Sequence, residues 1–211
     1  MCAPRRYVVM LGFAGARTAL TLAELHREKV QGRFPKHFLK QEENLRKVIN
    51  DLSGLTISRI LQEQGLPEEC VVALQKNEVF SALWKLAEGL DAGLDVELHK
   101  IPVLQFVIEV SELFDANPYV NITALENKKC FLEMSSVSQE IAETKILETC
   151  DTVDSEVATI YSLLIATDEP ERLLTFAETN GLPSAIIGRL TDKNDRVVRN
   201  GEIIRYLTPE G

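Results

Sequence analysis

The stretch YSLLIATDEPERLLTFAETNGLPSAIIGRLTDKNDRVVRNGEIIRYL, residues 161–207, decides the fold. Its first five residues form a continuous apolar run of strand-forming side chains, which predicts a strand buried on both faces. Asp168-Glu169-Pro170-Glu171 then opens a helix. Asp168 is the expected cap, Pro170 suits the first turn, and the acids favour the positive end of the helix dipole. Gly181 ends that helix. Residues 185–190, 196–199 and 202–207 read as three more strands, and Asn200-Gly201 between the last two is a strong hairpin signal. A buried strand, a helix and an antiparallel hairpin in one run indicate an α/β layered domain.

The same alternation extends toward the N-terminus. Tyr7-Val8-Val9-Met10-Leu11 is a second buried strand, followed by Gly12-Phe13-Ala14-Gly15 and a helix opened by Thr18. Arg33 to Lys36 is a break carrying Pro35. His37 to about Leu52 has helical spacing, and so does Leu55 to Gln64, closed by Gly65. Cys70 to Leu74 reads as a strand. Asn77 is the expected cap of a helix that carries Phe80, Leu83, Trp84 and Ala87 and ends at Gly89. Leu94 to Leu98 alternates as a strand with one wet face, a helix follows Pro102, and Asn117-Pro118-Tyr119 is a turn. In residues 120–160 the sequence predicts a strand at Cys130–Met134 and an amphipathic helix from Ser138 to Thr149, which either docks a partner or folds onto its own domain.

Composition narrows the function classes. The 211 residues are 45% hydrophobic and 26% charged, with 23 Lys+Arg against 32 Asp+Glu and a formal net charge of −9. That balance speaks against nucleic-acid binding, which needs clustered cations to neutralise phosphates. No apolar run reaches the length of a membrane span or of a signal-peptide core, so the expected setting is cytoplasmic. Four cysteines form no CxxC pair and three histidines lie far apart, so no metal site is expected. Asp91, Asp95 and Glu97 read as solvated acids rather than as a cation cluster. No nucleophile–base pair is recognisable, so no catalytic residue is assigned. Gly12 and Gly15, with Arg17 and Thr18, have the place of an anion site at a helix N-terminus, although a turn that needs glycine explains them as well.

Several segments in order resemble the C-terminal domain of the aminoimidazole-ribonucleotide-synthase-related superfamily, and most nearly its hydrogenase-maturation branch. They are Tyr7–Met10 with Ala14-Gly15; Val79–Ala87; Gly93–Val96 through Lys100-Ile101-Pro102; Phe114–Tyr119; Ser162–Thr167; and Gly181–Thr191. The resemblance implies one domain over residues 1–211, with an insertion at about 121–158. Its implied fold is a three-layer α/β/α domain built on a mixed sheet, with partial ferredoxin-like topology. It also implies that Asn117 and Tyr119 line the same cleft as the glycine loop. In full-length relatives an N-terminal domain supplies most ATP and metal ligands, so for this chain the resemblance implies no cofactor. ATP with magnesium would enter only through a separate N-terminal half.

Three departures from the family pattern shape the functional expectation. Relatives carry an Asp-x-Thr-x-Gly-Gly loop before the Phe80–Ala87 helix, but here the acid is Ala73 and the two glycines are Asn77 and Glu78. The hydrogenase-maturation members end in a reactive cysteine, whereas this sequence ends Leu207-Thr208-Pro209-Glu210-Gly211. Residues 121–158 separate two segments that usually follow closely. The expected function is therefore a catalytically degenerate domain that serves as a binding or protein-interaction module, as a homodimer or with a protein partner. The alternatives are one subunit of a split ATP-dependent enzyme, or a sensor of a small phosphorylated ligand.

Overall fold

The computed structural model describes residues 7–55, 57–75, 78–120 and 159–209. The strand and helix expected at 130–134 and 138–149, and the expected insertion, lie outside the described residues. Among the described residues, seven strands form one sheet: β1 (Tyr7–Gly12), β2 (Val71–Leu74), β3 (Gly93–Glu97), β4 (Ser162–Thr167), β5 (Ser184–Thr191), β6 (Arg196–Asn200) and β7 (Ile203–Tyr206). Their order is β2-β4-β1-β5-β3-β6-β7. Only β3 and β6 pair in parallel, and every other neighbouring pair is antiparallel. The strands whose sequences are apolar throughout lie inside the sheet. All six residues of β4 are buried, as are all of β1 after Tyr7. A strand buried on both faces has no reason to alternate, which is why these two were readable as continuous runs.

The helices are α1 (Ala16–Leu25), α2 (Arg27–Arg33), α3 (Lys36–Gly54), α4 (Ile57–Gln64), α5 (Val79–Gly89), α6 (Gln105–Leu113) and α7 (Pro170–Thr179). They contribute to two apolar clusters. One joins the sheet to α5, α7, Leu52 of α3 and Ile60 of α4. The other is mostly helical and gathers Leu22, Val30, Leu45, Phe106 and Val110 from α1, α2, α3 and α6, with Phe114 beside them. Burying such large side chains contributes about 1.5–3 kcal/mol each, so the second cluster anchors α1 against α6.

Three local expectations are corrected. The first helix begins at Ala16 rather than Thr18, because Gly15 takes the left-handed conformation (φ 68°) and turns the chain into it. It also ends at His26, where the backbone leaves helical geometry, and a separate helix starts at Arg27. There the His26 ring stacks on Phe114 at 4.8 Å, a tertiary contact that local periodicity does not encode. The position before α7 is Glu169, not Asp168, and its N–H donates to Thr167 Oγ1 at 3.1 Å. Glu78 holds the cap position of α5, and Asn77 lies outside the described residues.

Candidate functional site at the start of the first helix

β1 delivers the chain to α1 through residues Gly12–Gly15, and both glycines have a steric reason to be there. At Gly12 (φ 89°) a Cβ would sit 2.9 Å from Leu52 Cδ1 and 3.1 Å from the Tyr161 carbonyl. At Gly15 (φ 68°) it would lie 2.5 Å from Pro118 Cβ and 2.7 Å from Val107 Cγ1. Gly15 therefore lets the Asn117–Tyr119 turn close down on the start of α1. The first N–H groups of a helix have no intrahelical acceptor, so something must satisfy them.

That acceptor is Glu78. The Thr18 hydroxyl donates to Glu78 Oε1 at 2.6 Å, and the backbone N–H groups of Gly15 and Thr18 also donate to its carboxyl group. Glu78 is only 3% exposed. Burial pushes its carboxyl above the usual carboxylate range, against the opposing pull of the Thr18 hydroxyl, Arg17 and the two backbone donors. Thus Gly15, Arg17 and Thr18 do meet around an acidic group, and the group is the chain's own. Gly12 lies at the far end of the loop, packed on Leu52 and Ser162. Sequence reasoning did not place Glu78 at this helix end. Its only signal was a glutamate standing where relatives have glycine.

Asn117 and Tyr119 lie beside this point, across Pro118. Asn117 Oδ1 accepts the Tyr119 N–H at 2.9 Å, which fixes the turn. The Tyr119 ring stacks on Phe80, with centroids 5.5 Å apart and planes 13° apart, and burial raises its phenol pKa. Both residues line a mainly apolar cleft of about 490 Å³, together with Leu98, Ile108, Val198 and Ile203. At one wall the Arg205 guanidinium lies 5.0 Å from the Phe80 ring centroid. Ser111 also lines the cleft, and its buried hydroxyl has no hydrogen-bond partner among the described residues.

A wider groove of about 920 Å³ runs against β3, β5, β6 and β7 and contains Asp95, Arg189, Lys193, Arg199 and Tyr206. Asp95 accepts a hydrogen bond from Arg199 Nε at 2.7 Å, and Glu97 pairs with Lys100 at 2.7 Å. These partners account for two of the three acids considered above. Among the described residues no group of three or more His, Cys, Asp or Glu could hold a metal ion. None of the described helices is long and apolar enough to cross a membrane.

The described residues thus form a mixed α/β fold on a seven-stranded sheet, and solved structures share it. Among the solved structures that share the fold are those of HypE, a hydrogenase maturation protein. The Escherichia coli HypE structure matches with TM-score 0.58 and 13% identity, over 99% of this chain and 51% of that one. A HypE–HypF complex matches with TM-score 0.55 and 12% identity, covering 98% and 53%. A HypE structure in complex with ATP matches with TM-score 0.53 and 12% identity, covering 98% and 51%. The chain therefore spans about half the length of these structures, and at such identities the likeness is one of fold. No protein-family model matches the chain, and no curated protein matches its sequence.

Proposed function

We propose that this chain is a catalytically degenerate domain of the HypE-like fold that works as a binding and protein-interaction module. The observation that carries the reading is Glu78. Its carboxyl group lies against the N–H groups of Gly15 and Thr18, where a phosphate would otherwise find its donors. A phosphate approaching α1 would have to displace a buried acidic group that already holds these donors. The alternatives of a phosphorylated-metabolite sensor and of a direct nucleotide contact are disfavoured for the same reason. Partner binding has support of a different kind, since one structure with this fold is a complex of HypE with HypF.

A split-enzyme reading rests on one observation, that the chain matches only about half of each HypE structure. The nucleotide-handling half would then be another chain. Native mass spectrometry of the protein with and without Mg-ATP separates the two readings. The module reading expects masses that nucleotide leaves unchanged. A retained nucleotide or phosphorylated metabolite would overturn it and favour the split enzyme.

A further inference from the structure

We propose that β7 is the edge through which two copies of this chain join, antiparallel and about a two-fold axis at Ile204. This rests on the interaction-module reading and names the surface involved. Among the described residues, β7 is last in the sheet order, pairs only with β6, and is exposed at all four positions. Ile203 (70% exposed), Ile204 (45%) and Tyr206 (65%) are three of the five large apolar side chains exposed among the described residues. Natural sheets protect such edges with short strands, charged side chains, proline or bulges. β7 is short, but it has no lysine, proline or bulge, and its single charged residue, Arg205, leans over Phe80.

The hydrogen-bond phase of β7 leaves Ile204 ready to pair. The Leu207 N–H donates to the Arg196 carbonyl at 2.9 Å. Bonded and non-bonded pairs alternate along an antiparallel ladder. Arg205 and Ile203 therefore bond to β6, while the backbone groups of Ile204 and Tyr206 point outward.

Symmetry then selects the occupant and the register. A two-fold axis perpendicular to the sheet keeps every side chain on its own face, so the axis must pass through a residue of β7. An axis at Arg205 sets Arg205 opposite itself, which is repulsive. An axis at Ile203 leaves Tyr206 without a facing strand and sets Ile204 against Glu202 of the second copy. An axis at Ile204 sets Ile204 against Ile204, Ile203 against Arg205, and Tyr206 against Glu202. Ile203 and Ile204 then face strand residues, Tyr206 meets the turn residue Glu202, and no like charges face each other. Glu202 and Arg205 balance, so the joint adds no net charge although each chain carries −9. The contact is isologous, so each copy uses its own β7 in the pair, and association through this edge closes at a dimer.

The test is sedimentation of the full chain from one to several hundred micromolar, together with I204K and a K85E control on the exposed face of α5. The joint is small, so the expected dimer is weak. I204K should weaken it at least tenfold with an unchanged circular dichroism spectrum, and K85E should leave it intact. In I204C, oxidation should link two copies through the introduced thiols, as located by peptide mass spectrometry, whereas T208C should not cross-link. A chain that stays monomeric throughout overturns the proposal. A dimer that ignores I204K and gives no cross-link in I204C also overturns it, while leaving the module reading in place. The module reading is overturned by a different result, retention of a nucleotide or phosphorylated metabolite.

Discussion

A carboxyl group enclosed at a helix N-terminus feels two opposing influences, the loss of water and the gain of N–H donors. For Glu78 burial is the larger, so its folded pKa lies above the unfolded value. The folded state then holds more protons than the unfolded state between the two values, and stability falls as pH rises through that window. Glu78→Gln removes the charge and keeps an acceptor for Thr18. Its stability relative to the native protein should be greatest at alkaline pH and shrink as pH falls toward the ordinary glutamate range, as followed by urea unfolding at several pH values. The glycines make a second prediction, with opposite signs at two positions. Gly15→Ala places a methyl group within 2.7 Å of Pro118 and Val107 on a left-handed backbone, which should cost about 2–4 kcal/mol. Gly32→Ala, inside α2 with nothing within 4 Å, should stabilise by about 0.5–1 kcal/mol. Thermal unfolding of the two variants checks both.

Among elements, the strands and most helices were legible because burial on both faces leaves a continuous apolar run and burial on one face leaves a period. The helix break at His26 was not, since a ring stacked on Phe114 is fixed by a contact 88 positions away in the chain. The acid at the start of α1 was illegible for a related reason: Thr18 and Glu78 are 60 residues apart, and only the fold brings them together. The parallel junction of β3 with β6 was also invisible in the sequence, yet it carries the Asp95–Arg199 pair. That pair is partly exposed, so a double-mutant cycle should give a coupling of only about 0.2–1 kcal/mol, weakening with added salt. Phe106, fully buried between α6 and its neighbours, should be far more costly to truncate. Phe106→Ala is expected to lose about 3–5 kcal/mol by urea denaturation.

The described residues form a mixed α/β fold, and the chain spans about half of the HypE structures that share it. Its anion-ready helix end is filled from within by Glu78, and three of the five exposed large apolar side chains among the described residues lie on one edge strand. Both features direct the proposed function toward binding partners and away from phosphate chemistry. The central claim is that Glu78 closes the start of α1, and backbone amide NMR during a titration with inorganic phosphate tests it most directly. In the native protein the amide signals of Gly15 and Thr18 should stay fixed, while in Glu78→Ala they should move saturably as phosphate takes the vacated place. Saturable movement of those two signals with Glu78 intact would contradict the account.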